Sequence, residues 1–214
     1  MKLLLDTSCA DLLNRRAAYP DLIGGQLLTP LTQYSRWDGV WACDNGAFSR
    51  FDANAFLRLL RRNQDWRDAC IFVAAPDVVG SARRTLEVFE RWYPMLTPWP
   101  VALVAQDGIE DLRIPWELLA AIFIGGSTEW KMSRAAADVV KAARLMDVHI
   151  HVGRINTPRR WKHFCDLGAD TCDGSGVARF NWMLAKIASC DFEDRPLFDM
   201  AAGEEIWCER DRRD

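Results

Sequence analysis

Four residues able to do chemistry each stand just past an apolar run: Asp44 after Val40-Cys43, Asp77 after Cys70-Ala75, Gln106 after Val101-Ala105 and Asp173 after Ala169-Cys172. Carboxylates gathered at the tips of such runs resist joint ionisation, so one holds a proton while another is free to attack or accept. The amide of Gln106 and the glycines Gly125, Gly126 and Gly153 add donors and open backbone that can hold a flat polar ligand. Asp44 ends the cleanest run and is followed by Asn45-Gly46-Ala47-Phe48, which makes it the first catalytic candidate. A lone Asp after a strand is as often a helix N-cap. Three of them with an inward amide are harder to explain that way.

Positioning these groups takes strands, and eight short apolar runs are present: Lys2-Leu5, Gln26-Leu28, Val40-Cys43, Cys70-Ala75, Val101-Ala105, Ala121-Ile124, Val148-Val152 and Ala169-Cys172. Amphipathic stretches at Ala53-Gln64, Ser81-Met95, Ser133-Met146, Thr157-Leu167 and Phe180-Ala188 alternate with them, started by Ser81, Ser133 and Thr157-Pro158. This alternation predicts an α/β fold, a single small (β/α)8 barrel over residues 1-198, followed by a charged tail over 199-214. The functional end of such a barrel is the carboxyl end of its strands. Alternation puts Val40, Ala42 and Asp44 on one face, and likewise Val73, Ala75 and Asp77, Ala102, Val104 and Gln106, Ile122, Ile124 and Gly126, and Ala169, Thr171 and Asp173. All five sets are expected to point inward.

Read in order, the motifs resemble those of the tRNA-guanine transglycosylases, and more closely their short DNA-modifying relatives, the DpdA-type 7-deazaguanine DNA transglycosylases. Asp44-Asn45-Gly46-Ala47-Phe48 is similar to the family's Asp-Ser-Gly-Gly-aromatic motif, and Pro76-Asp77 to the strand end whose Asp reads the guanine edge. Val104-Ala105-Gln106-Asp107-Gly108 and Ile124-Gly125-Gly126-Ser127 resemble the segments whose Gln and glycine backbone hold the base. Val152-Gly153 resembles part of an apolar-Gly-x-Gly-x-Pro run, and Gly168-Ala169-Asp170-Thr171-Cys172-Asp173 the Gly-x-Asp-x-x-Asp that carries the nucleophile. Arg179 stands six residues beyond, as in the family. The resemblance implies Asp173 as nucleophile, Asp44 as general acid/base, Phe48 and Val152 stacking on the base, and Asp77, Gln106, Gly125, Gly126 and Gly153 holding it. Asp170 is the rival nucleophile, turned toward the helices if Asp173 faces inward.

What it implies for substrates is guanine in a nucleic acid exchanged for a 7-deazaguanine base, with no cofactor and no metal. The cysteine-rich zinc subdomain of the tRNA enzymes is missing and Val177-Ala178-Arg179 replaces their Pro-Thr-Arg, so DNA is the expected partner ahead of tRNA. Asp77 would accept from the guanine N1-H and 2-amino group, while O6 would receive Gln106 or the Gly126 N–H. A flipped-out nucleotide needs its flanking phosphates held, for which Lys131, Arg154, Arg159, Arg160, Lys162 and Arg179 are candidates. Trp130 and Trp161 could stack on bases, and His149 and His151 read as structural residues.

The formal charge of −3 confines nucleic-acid contact to a local basic face. Seven cysteines, odd in number and without a C-x-x-C pair, argue for reduced thiols in the cytoplasm and against a zinc knuckle. No apolar stretch reaches membrane-spanning length, and a homodimer is compatible with the sequence. The competing readings are a tRNA-acting enzyme, a non-catalytic base-binding subunit, and a nucleoside or glycoside hydrolase using the same carboxylates.

Overall fold

Eight parallel strands close on one another in chain order: β1 (Lys2–Leu5), β2 (Ile23–Leu28), β3 (Trp41–Cys43), β4 (Cys70–Ala74), β5 (Val101–Ala105), β6 (Ala121–Ile124), β7 (His149–Val152) and β8 (Thr171–Cys172). The computed structural model describes residues 1–191, so residues 192–198 of the expected barrel and the charged tail expected over 199-214 lie outside the described residues. The ring is sealed where β8 pairs with β1, Lys2 opposite Thr171 and Leu3 opposite Cys172. All eight expected strands are present, which makes this a TIM-type (β/α)8 barrel.

Around it lie α1 (Cys9–Ala18), α2 (Ala53–Arg62), α3 (Ala82–Leu96), α4 (Thr128–Lys131), α5 (Arg134–Leu145), α6 (Pro158–Leu167), α7 (Ser175–Arg179) and α8 (Asn181–Asp191). Residues 29–40 join β2 to β3 without a helix, and two short 3-10 turns replace one between β5 and β6. Local chemistry explains the starts. The Thr157 side chain accepts from the Arg160 N–H with Pro158 in the first turn, and Ser133, Ser127 and Asp52 cap α5, α4 and α2 in the same way. Ser81 stands at the cap position of α3 but its side chain makes no cap bond, so this expected start is only positional.

The core has two layers. Leu4, Leu27, Ala42, Phe72, Ala74, Ala102, Val104, Ala121 and Phe123 fill the inside of the barrel, and a larger shell lies between strands and helices. This corrects the expected faces of two strands. In β4 it is Phe72 and Ala74 that point in, with Val73 and Ala75 against the helices; in β6 it is Ala121 and Phe123, with Ile122 and Ile124 outside. In a parallel sheet both faces of a strand are buried and apolar, so hydropathy does not mark the inner one. Val40 is likewise outside the inner layer, exposed just before β3.

Candidate active site

At the carboxyl ends of the strands the barrel opens into a pocket of about 190 Å³, whose lining includes Asp44, Asp77, Gln106, Phe123, Gly153 and Asp173. That is below the ~300–1,000 Å³ usual for ligand sites and suits a compact group. Asp44 reaches it directly from β3, its N–H held by the Leu28 carbonyl at 2.8 Å. Asp77 arrives despite the reversed face of β4, because Ala75-Pro76 carries the chain beyond the last ladder residue before the side chain is placed. Gln106 continues the inward face of β5, and Asp173 that of β8.

Three of these groups form one hydrogen-bonded floor. The Asp77 carboxylate accepts from Gln106 Nε2 at 2.7 Å and from Asn45 Nδ2 at 2.9 Å. Gln106 is itself fixed by the Gly80 N–H, which donates to Oε1 at 3.0 Å, so its amide orientation is set and Nε2 keeps one hydrogen for a ligand. Asn45 is 1% exposed and also donates to the Ala75 carbonyl at 2.7 Å while accepting from the Ala47 N–H at 2.7 Å. Burial raises the pKa of Asp77, and the two amide donors oppose that rise.

Across the pocket, Asp44 is pushed up to about 7, first by burial and next by the charge of Asp173, with Asp77 adding to it. The Gly46 N–H pulls the other way. Asp173 has both oxygens engaged: Oδ1 accepts from the Arg154 N–H at 3.2 Å, and Oδ2 lies 3.1 Å from His151 Nε2. His151 is fully buried inside the barrel, its ring 4.8 Å from Phe72 and 4.6 Å from Phe123. Asp170 lies before β8, exposed, with Oδ2 accepting from the Ile150 N–H, and does not line the pocket.

No family model matches the chain, and no curated protein matches it. Among solved structures, one described as "PaMucR Phosphodiesterase, c-di-GMP complex" is 14% identical, with 69% of this chain aligned to 63% of that one at a TM-score of 0.37. A second, "Native KDPGal structure", is 12% identical over 89% of this chain and 92% of that one, at a TM-score of 0.36. Neither likeness informs the reading of the site.

Several expected site residues are placed differently from the sequence reading. Val152 belongs to the shell between strands and helices, because His151 takes the inward position of β7, so Val152 cannot stack on a ligand. Phe48 lines the pocket edge but is 67% exposed, and its ring is covered by the Arg154 guanidinium at 4.5 Å. The Gly126 N–H donates to the Ala105 carbonyl at 3.0 Å, as does that of Gly125, which leaves Gln106 to meet a ligand oxygen.

Arg154 adopts a left-handed backbone, φ 62°, and its guanidinium donates to the carbonyls of Gly125 and Gly126 at 2.7 and 2.5 Å. It therefore ties two strand tips together at the mouth. Lys131 is 1% exposed and its ammonium donates to the Gly153 carbonyl, so it braces that turn from behind instead of meeting a phosphate. Burial above all brings its pKa down to about 8. Trp130 is buried with its indole N–H on Glu110, and Trp161 is on the buried face of α6, so neither can stack on a base. Arg159 and Arg160 occupy the first turn of α6 and Arg179 ends α7; none of the three lines the pocket.

Two residues of the site have no functional role in the sequence expectations: Asn45, an amide next to the candidate acid, and His151, expected to be structural. His151 was visible as the partner, two residues after His149, of a strand otherwise apolar.

Proposed function

We propose that the chain is a base-exchange transglycosylase that replaces guanine in DNA with a 7-deazaguanine derivative such as 7-cyano-7-deazaguanine. The observation that carries this reading is the opposition, across one small pocket, of Asp44 with its pKa near 7 and Asp173 with both oxygens oriented, above a carboxylate-amide floor. Asp173 attacks C1′ of the sugar as the bond to guanine N9 breaks, and Asp44 gives its proton to the departing purine. The incoming base then loses its N9 proton to Asp44, and N9 displaces Asp173 from C1′, restoring the original configuration and both carboxyl groups.

Asp77 accepts from the N1-H and 2-amino group of a guanine-type edge, and the remaining Gln106 Nε2 hydrogen meets O6. An adenine edge inverts these donors and acceptors and leaves buried groups unpaired, which discriminates strongly against it. The basic residues outside the pocket, Arg159, Arg160 and Arg179, hold the flanking phosphates.

Labelled guanine exchange into duplex DNA, single-stranded DNA and tRNA, each with and without a 7-deazaguanine, tests the reading. Incorporation into DNA, its loss in Asp173→Ala, and a covalent protein-DNA adduct seen by mass spectrometry are the expected results. Unimpaired exchange by Asp173→Ala would sink the assignment. Exchange on tRNA alone, or guanine release without any acceptor base, would move the function to a tRNA enzyme or a hydrolase.

A further inference from the structure

Below the pocket, a line of polar groups runs beside the apolar inner cluster of the barrel. His149 and His151 both point inward from β7, and Thr171, in register with His151 on the neighbouring strand, points inward from β8. His151 Nε2 is 3.1 Å from Asp173 Oδ2, His151 Nδ1 is 2.9 Å from Thr171 Oγ1, and Thr171 Oγ1 is 2.8 Å from His149 Nε2. The far nitrogen of His149, Nδ1, faces Asp170 Oδ2 at 3.9 Å in a cleft of about 340 Å³ that Arg144 and Asp147 also line. His149 begins β7 and Asp170 precedes β8, so this cleft is at the amino ends of the strands, opposite the pocket.

We propose that Asp173, His151, Thr171, His149 and Asp170 form a proton relay that runs through the barrel and connects the carboxylate at the active-site mouth to solvent at the opposite mouth. Every link uses a group that both donates and accepts, and each end is open to solvent while the middle is buried. The donors and acceptors can be written in two complete arrangements. With Asp173 protonated, its O–H donates to His151 Nε2, Nδ1–H donates to Thr171 Oγ, the hydroxyl donates to His149 Nε2, and His149 Nδ1–H faces the cleft. Moving each proton one place leaves Asp173 ionised, both rings protonated at Nε2 instead of Nδ1, and one proton delivered to Asp170 through a water that spans the 3.9 Å gap. One bond to hydrogen breaks and one forms at every step, and no ring becomes charged.

Burial lowers the pKa of His149, Asp170 opposing and His151 assisting, which favours a neutral ring that passes a proton on. The His151 ring packs on Phe72 and Phe123, and its two nitrogens are engaged by Thr171 and Asp173. The benefit to catalysis rests on the proposed exchange reaction. Once a base fills the pocket, Asp173 is cut off from solvent at its own mouth, and the relay gives any proton that reaches it a way out at the opposite one.

The relay itself is tested without activity, by nitrogen NMR of ¹⁵N-histidine-labelled protein. Asp173→Asn is expected to move the ring nitrogens of His149 across the barrel, and Thr171→Val, which removes only the hydroxyl link, is expected to abolish that response. Thr171→Ser should restore it. Thr171→Ala serves as a second severed variant should the valine protein not fold. A His149 response that is absent, or the same with and without the hydroxyl, overturns the relay even if exchange is found. If exchange is not found on any nucleic acid, the NMR result still decides the relay.

Discussion

Asp44 is where the site's electrostatics are most exposed to test. Its pKa of about 7 leaves it able to give up a proton in neutral solution, as the proposed release of guanine requires. The kcat/KM for base exchange should therefore fall as pH rises through about 7, and a flat profile between pH 6 and 8 would contradict the assignment. The same shift has a stability counterpart. The folded state holds this proton more tightly than the unfolded chain, whose carboxyl has an ordinary value of 3.8, so stability contributed by Asp44 is lost as pH rises from there to about 7. Asp44→Asn cannot ionise. It should exceed the native protein in unfolding free energy at pH 8 by on the order of a few kcal/mol, a margin that shrinks toward pH 4. Denaturant titrations at both pH values check this, and a margin independent of pH would mean that repacking, not ionisation, is responsible.

At the level of elements, the loop after β3 is clamped to the end of β4 by one side chain. Asn45 joins the Ala75 carbonyl, the Asp77 carboxylate and the Ala47 N–H. Asn45→Ala should cost about 2–3 kcal/mol, because buried partners are left unpaired, and should reduce exchange as Asp77 loses a support. Thermal unfolding with parallel kinetics measures both; a loss of stability with full activity would show that Asp77 is held by Gln106 alone. The eight strands were legible because each is an apolar run with polar punctuation, and the capped starts of α5 and α6 because Ser133 and Thr157-Pro158 announce them. The inner face of β4 and β6 was not, since both faces are buried alike. Nor was α1 legible, which buries little beyond Leu12 and so shows a weak apolar stripe. Of the site, the strand-end carboxylates and Gln106 were readable. The brace of Lys131 and the outward turn of Val152 were not, because each depends on which neighbour lies behind it.

For the whole molecule, a net charge of −3 means that any grip on DNA comes from a few cations on one side. Replacing Arg159, Arg160 and Arg179 by Ala should lower the slope of log K against log salt by about 0.9 for each lost phosphate contact on duplex DNA, equally for all sequences. Fluorescence anisotropy over a salt series gives this slope, and an unchanged slope would move the contact face elsewhere. The ring is sealed late in the chain. Its last strand, β8, is two residues long and is pinned by β1 on one side, where the Lys2 N–H meets the Asp170 carbonyl at 2.8 Å, and by β7 on the other. Asp173 is the next residue. Asp44, Asp77 and Gln106 follow β3, β4 and β5, so they can be placed without this final stitch, whereas the proposed nucleophile cannot. Under the proposed reaction, pairing of β8 with β1 and β7 is thus the contact that sets Asp173 in place at the pocket.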